Sequence, residues 1–340
     1  MKPPQVIDPE TRIRVMLRRF GDQEPPDQIV QLLLHSPGIL FAYLDRMAMI
    51  VASTERVLEF DGAVPVFVEL CAGLASVSLM LQVGRYARPP VSRMGNKHGY
   101  ALAILRVMGL RPGQGADRYL WCEPDPGCRA LLHAYTDREV MQEAAAIIRG
   151  WADEDPRALW ERLRAEGPVR VGEAREVARF VQVKNRTTHA GDGYKSPEHG
   201  EGNHEATDGV YRRTAAATYV LPATIHTDAR TVEPIPGAVV YIDFPYLGDG
   251  SKPLTGYGHT LTLEDQVDLA TRWSDAGAAV YVSECVSRVA DFGAGWWDVD
   301  ITSQRTGQRR TFSTEAGRQE WVTCNREPAW RPAEQQGLFG

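Results

Sequence analysis

Apolar positions along this chain alternate between two patterns. Short runs with little or no polar interruption occur at Val64–Leu70, Arg118–Cys122, Val239–Ile242 and Ala279–Ser283. Runs of this kind, bounded by Gly, Pro or an acid, predict buried strands of a parallel sheet. Thr224–Thr227 reads as a further strand. Between them the spacing turns helical: from Ser76 through Val77, Leu79, Met80 and Leu81, from His98 to Met108, across 127–176 with Trp151, Trp160 and Leu163 as core candidates, and over Glu264–Ala270. Residues 1–62 also read as helical. Asp8 followed by Pro9 is an N-cap with Pro at the first helical position, Ile13, Val15, Met16, Leu17 and Phe20 follow, and Gly21 and Pro25-Pro26 separate this stretch from Ile29–Leu34 and Ile39–Leu58.

Strands alternating with helices predict an α/β fold, a Rossmann-like mixed sheet with helices on both faces. The expected organisation is a helical N-terminal addition over 1–62, a sheet domain from 63–130 and 220–326, a helix-and-loop insertion over 131–219, and a tail over 327–340. Residues His189 to Arg213 are rich in Gly, His, Asp and Thr and read as a long loop, the kind that serves binding or orders on a partner.

Composition narrows the class. The 340 residues are 43% hydrophobic and 24% charged, ordinary for a globular chain that buries a sizeable core. The most apolar early stretch, Ile29 to Ala52, is broken by His35, Pro37, Asp45 and Arg46, so no membrane span is expected. No signal-peptide pattern opens the sequence, and a cytoplasmic location is expected. The five cysteines (71, 122, 128, 285, 324) form no Cys-x-x-Cys pair, which points to reduced buried thiols and away from zinc or a disulfide framework. The net charge of −6 hides local fields: Arg85 to Arg118 holds seven Lys/Arg against Asp117 alone, and Arg305, Arg309, Arg310, Arg318 and Arg326 make a second basic group. A basic face that meets nucleic acid is therefore compatible with an acidic total.

Candidate chemistry gathers where the strands end. In open α/β sheets ligands bind beyond the carboxyl ends of strands. Val239–Ile242 runs directly into Asp243-Phe244-Pro245-Tyr246, an anionic acceptor and an aromatic face suited to a planar amine. Val64–Leu70, with Glu69 near its end, runs into Cys71-Ala72-Gly73-Leu74-Ala75-Ser76, whose small residues permit a tight strand-to-helix turn and close ligand approach. Arg118–Cys122 ends at Glu123-Pro124-Asp125-Pro126. An acid there commonly pairs with ribose hydroxyls, while Asp125 alternatively suits a helix N-cap.

Taken together, these elements resemble the Dam-type group of DNA adenine N6-methyltransferases over roughly residues 64 to 326. Asp243-Phe244-Pro245-Tyr246 resembles the Asp-Pro-Pro-Tyr signature, with Phe244 in place of the first proline. Cys71-Ala72-Gly73-Leu74-Ala75 resembles the Phe-x-Gly-x-Gly cofactor loop, with Ala75 where the second glycine is usual. Gly95-Asn96-Lys97 resembles the Gly-Gly-Lys element, although in the family it precedes the glycine-loop strand and here it follows. Glu123-Pro124-Asp125 resembles Asp-x-Asn-Pro, Asn185-Arg186-Thr187 the Asn-(Arg/Lys)-Thr run before the recognition loop, and Asp228-Ala229-Arg230 the acid near the cofactor adenine. Thr255-Gly256-Tyr257 and the terminal stretch through Glu320 to Asn325 continue the match.

The resemblance implies S-adenosylmethionine as cofactor, DNA as partner, and methylation of the adenine N6 amino group by base flipping and direct transfer. It implies catalytic roles for Asp243, Phe244, Pro245 and Tyr246. Cofactor contacts are implied for Glu69, Cys71, Ala72, Gly73, Gly95, Lys97, Glu123, Asp125 and Asp228, and substrate contacts for Asn185, Arg186, Thr187 and Tyr257, with no metal. Two alternatives stay open: a catalytically lapsed DNA-binding module of the same fold, and an enzyme for another exocyclic amine such as cytosine N4 or a modified base.

Overall fold

The computed structural model describes residues 63–84, 87–91, 97–168, 170–187, 194, 207–247, 261–306 and 319–332. The chain divides into two units, Met1–Leu58 and Glu59–Gly340, and every described residue belongs to the second. The expected N-terminal helices, Gly95, Tyr257 and most of the expected loop after His189 lie outside the described residues.

Among the described residues seven strands form one mixed sheet: β1 (Phe67–Leu70), β2 (Tyr119–Cys122), β3 (Ala223–His226), β4 (Val239–Ile242), β5 (Ala279–Glu284), β6 (Trp297–Asp300) and β7 (Trp321–Cys324). Their order across the sheet is β3-β2-β1-β4-β5-β7-β6. The first five are parallel, with Leu70 in register with both Cys122 and Ile242. The strand β7 runs antiparallel between β5 and β6. From β1 the chain winds outward one way to β2 and β3, then returns to lay β4 and β5 on the other side. The switch point therefore falls between β1 and β4, where an open α/β sheet leaves a crevice at its carboxyl edge. The fold is α/β, as the alternation of patterns predicts.

Side chains alternate across the pleat and sort into two cores. Phe67, Tyr119, Trp121, Val239, Tyr241, Tyr281 and Val322 face one cluster. It is closed by helices α1 (Ser76–Val83), α2 (Ala101–Val107), α3 (Pro126–Ala134), α4 (Arg138–Gly150), α6 (Ala174–Asn185) and α7 (Thr207–Ala216), which contribute Leu79, Ile104, Leu131, Met141, Val177 and Val210. Val68, Leu70, Leu120, Cys122, Val240, Ile242, Val280 and Val282 face the other, against Leu269, Ala270 and Trp273 of α8 (Leu263–Asp275). Two short or exposed helices complete the described set, α5 (Pro156–Glu166) and α9 (Val289–Phe292).

Local chemistry starts these helices where the sequence asks for it. Asp125 caps α3 by accepting from the Cys128 amide, Asp155 caps α5 from two amides, and both are followed by Pro at the first helical position. Thr262 and Asp265 exchange side-chain bonds in a capping box at α8. The stretch expected as an insertion, 131–219, contributes helices whose apolar residues belong to the same cluster as the sheet face. Part of the expected loop is also helical: Thr207–Ala216 forms α7, because Val210 has a core to enter and Arg149 of α4 lies over the Tyr211 ring. Among the described residues no helix is long and apolar enough to cross a membrane.

Gly127 in the first turn of α3 sits against α6, where an added methyl would meet Phe180 ring carbons at 2.3–3.0 Å. Gly127→Ala is expected to destabilise by about 1–3 kcal/mol through overpacking. Adding Phe180→Leu should recover part of that loss, as read from urea midpoints.

Candidate active site at the carboxyl edge of the sheet

The loops after β1, β2 and β4 meet at this edge. The loop after β1 is tightly wound: Cys71 (φ 56°), Gly73 (φ 54°) and Ala75 (φ 50°) all lie in the left-handed region. Glycine adopts it without cost, but Cys71 and Ala75 do so at the order of 1 kcal/mol each. The turn is tied to its neighbour by the Ala72 amide, which donates to the Cys122 carbonyl at 2.8 Å. The Gly73 amide donates to Glu123 Oε2 at 2.7 Å, and the Asp125 amide donates to Glu123 Oε1 at 2.9 Å. Among the described residues a methyl built on Gly73 would meet nothing within 4 Å, which leaves space beside the turn.

Glu69 and Asp243 come to one side of the sheet for a reason of register. Glu69 pairs with Tyr241 in the ladder, and Asp243, two residues on, keeps the Tyr241 facing. Phe244 takes the opposite side and is buried in the second core with Ile242 and Trp273. Phe244 is thus an anchor for the loop, and burial of such a ring contributes roughly 1.5–3 kcal/mol. Further contacts fix the loop after β4. The Asp243 amide donates to the Leu70 carbonyl at 3.1 Å, Gln266 Nε2 donates to the Pro245 carbonyl at 3.2 Å, and the Leu247 amide donates to Glu284 Oε2 at 3.0 Å.

The polar heart of the site is one lysine among carboxylates. Lys97 is buried at 6% exposure, with Nζ 2.6 Å from Asp243 Oδ1 and 3.8 Å from Glu320 Oε1. The same ammonium lies 4.5 Å from the centroid of the Tyr246 ring, within cation–π range. The Tyr246 hydroxyl donates to Glu320 Oε1 at 2.5 Å. Burial, and next the Glu320 charge, hold that phenol well above the usual tyrosine range.

Behind this group, Glu69 Oε2 accepts from the Ser78 amide at 3.0 Å and from the Ser78 hydroxyl at 2.5 Å, and Trp121 Nε1 donates to the same hydroxyl. Burial pushes the Glu69 carboxyl up to about 7, with nearby Asp243 adding to the rise and the Ser78 bonds opposing it. Burial, then the Glu123 charge, push the Cys71 thiol well above its ordinary value, so it is no nucleophile at neutral pH. All five cysteines are free thiols.

The expected residues fall into three sets. Glu69, Cys71, Ala72, Gly73, Glu123, Asp243, Phe244, Pro245 and Tyr246 come together at the edge. Lys97 joins them at a place the resemblance does not imply, on Asp243 and Glu320. Asp125 is the N-cap of α3, and Asp228, beyond β3, caps a short turn and pairs with Arg230 at 2.9 Å. Asn185, Arg186 and Thr187 lie at the end of α6 with polar atoms engaged by the protein itself. Asn185 accepts from Arg213 at 2.8 Å, buried Arg186 donates to Gln182 at 3.1 Å, and Thr187 donates to the Val183 carbonyl and accepts from Trp160.

Glu320, Glu284, Gln266 and Ser78 also belong to the site, although the resemblance implies no role there for any of them. Glu320 had a usable signal. A strand that runs antiparallel presents its amino end at the edge where parallel strands end, and Glu320 directly precedes β7.

Glu69 makes stability fall as pH rises. At low pH both folded and unfolded chains hold its proton. Between about 4.5 and 7 the unfolded chain releases a proton that the folded chain keeps, and the loss is complete above the folded value. Glu69→Gln is therefore expected to flatten the decline of stability across that window relative to the wild type, as measured by urea unfolding at a series of pH values. The sequence matches no protein-family model and no curated protein, and the residues and their geometry carry the functional reading.

Proposed function

We propose that the chain is an S-adenosylmethionine-dependent methyltransferase acting on the N6 amino group of adenine in DNA. The observation that carries this reading is the juxtaposition of Asp243-Phe244-Pro245-Tyr246, beyond β4, with the left-handed turn after β1 across the switch point of the sheet.

The residues present fit the cofactor in kind. Gly73 leaves open space beside the turn, and Glu123 is an anionic acceptor beyond β2 of the type that holds ribose hydroxyls. When bound, the cofactor supplies an electrophilic methyl group carried on a positively charged sulfur. The rest is the work of this chain. An aromatic amine is a poor nucleophile because its lone pair is delocalised into the ring. Asp243 would accept one N–H of that amine and favour the positive charge that develops on its nitrogen, and the Phe244 carbonyl would accept the other. The Tyr246 ring, held at its hydroxyl by Glu320, would stack on the flipped base and offset part of the lost base stacking. The catalytic contribution is positioning and electrostatics on a loop already fixed by Gln266 and Glu284.

One observation favours a second reading. The Lys97 ammonium lies 2.6 Å from Asp243, in a position that competes with an incoming amine. A chain in which that pair never opens would be a catalytically lapsed DNA-binding module.

Incubation with methyl-labelled cofactor and mixed-sequence DNA, followed by digestion and mass analysis of nucleosides, separates the two. N6-methyladenine is expected, and label on cytosine N4 or on no base would reject the adenine assignment. Asp243→Ala is expected to lower turnover by roughly 10²-fold or more while cofactor affinity, by calorimetry, changes much less. Near wild-type turnover in that variant would remove Asp243 from the mechanism. Tyr246→Ala should cost about ten- to a hundredfold, in line with a stacking contribution of roughly 1–3 kcal/mol. Tyr246→Phe keeps the ring and should lose far less.

A further inference from the structure

Glu320 is an odd residue to bury. It stands just before β7 at 5% exposure, and its main chain is fixed on both sides. Its amide donates to Thr302 Oγ1 at 2.8 Å, and its carbonyl accepts from the Ile301 amide at 2.8 Å. The segment that holds it, 301–306, also holds Lys97. The Thr306 amide donates to the Gly99 carbonyl at 2.8 Å, and a methyl on Gly99 would come within 3.0 Å of the Thr306 carbonyl. The segment after β6 thus carries the carboxylate of Glu320 and the turn of Lys97 as one piece.

The electrostatics give that arrangement a purpose. Lys97 stands between two carboxylates, close to Asp243 and about one ångström too far from Glu320 for a charge-assisted hydrogen bond. If a substrate amine is to bond to Asp243, the Lys97 ammonium must give up that oxygen. Glu320 is already paired with Lys97 at 3.8 Å, and a shift of about one ångström brings the two into charge-assisted contact, so the ammonium exchanges one carboxylate for another. The same carboxylate holds the Tyr246 hydroxyl, so the ring on which the base would stack and the lysine that must withdraw share one anchor.

Resting on the methyltransferase reading, we infer that Glu320 is a positioning residue for this site. It orients Tyr246 and takes over Lys97 when an uncharged aromatic amine engages Asp243. The exchange also defines the substrate class: the amine must arrive neutral, because a second cation would enter beside Lys97.

The test compares wild type, Glu320→Gln, Tyr246→Phe and the double variant. Glu320→Gln keeps the shape and the acceptor oxygen but removes the charge. It is expected to lower kcat at least tenfold with the KM for cofactor within about twofold of wild type. Tyr246→Phe should lower kcat less, because Lys97 keeps its second acceptor, and the double variant should resemble Glu320→Gln alone. A readout that needs no substrate accompanies the kinetics: the resonance of Tyr246 in isotope-labelled tyrosine, assigned with Tyr246→Phe, should shift in Glu320→Gln. Circular dichroism melting checks folding. If Glu320→Gln fails to fold, Glu320→Asp is measured in its place, with the same order of effects expected.

Wild-type kcat in a folded Glu320 variant whose tyrosine resonance has moved would overturn this inference alone. A fall in kcat matched by an equal rise in the KM for cofactor would also overturn it, since that pattern marks a general distortion. A wild-type chain that transfers no methyl group to any base would overturn the methyltransferase reading and this inference with it.

Discussion

A lysine taken out of water must be paired, and that requirement organises the edge of this sheet. The Lys97 ammonium brings Asp243, Glu320 and the Tyr246 ring within a few ångströms of one another, although they come from a strand end, an antiparallel strand and a loop. The sheet supplies the means. Register puts Glu69 opposite Tyr241 and sets Asp243 on the same side, while β7, running the other way, delivers its first residues to the edge where β4 and β5 end. Behind this group burial, with a smaller contribution from the nearby Asp243 charge, pushes the Glu69 carboxyl up to about 7 against the opposing bonds from Ser78.

Much of this was legible in the residues. Unbroken apolar runs located β1, β2, β4 and β5 because parallel strands covered on both faces leave no room for a polar alternation. The rule that ligand sites gather at strand ends points to Gly73, Glu123 and Asp243, which the structure brings to one edge of the sheet. What escaped has physical causes. The strand β6, Trp297-Asp298-Val299-Asp300, lies at the sheet edge with only Val299 fully buried, so its signal is a brief alternation and not an apolar run. Glu320 escaped because its strand is antiparallel and places an amino end where carboxyl ends were sought. Lys97, for which the resemblance implies a cofactor contact, lies on Asp243 and Glu320, and sequence alone does not say which of several acids a long side chain will reach.

Two differences from the signature that the sequence resembles look different once packing is considered. Phe244 stands where that signature has a proline, whose ring would rigidify the chain. Here burial of Phe244 in the second core, together with the bonds to Gln266 and Glu284, restrains the same loop from outside. Rigidity is obtained by anchoring in place of a fixed dihedral. Ala75 is the converse case. It adopts a left-handed conformation that glycine would take without strain, and Cys71 does the same four residues earlier. The surrounding bonds, Ala72 to Cys122 and Gly73 to Glu123, hold the turn in this form. Strain of this kind persists only where the surrounding structure holds it in place.

The helices between β2 and β3 add the last step. Within the stretch expected as a helix-and-loop insertion, 131–219, the apolar residues of α4, α6 and α7 join the same core as Phe67, Trp121 and Tyr241. A buried pair, Glu176 with Arg179 at 2.6 Å, lies within α6 itself. Arg213 of α7 ties Asn185 to the Pro90 carbonyl, linking the end of α6 to the chain that leads towards Lys97. Asn185, Arg186 and Thr187 are thus built into the framework, and the helices between β2 and β3 are held by the same core that fixes β1 and β4.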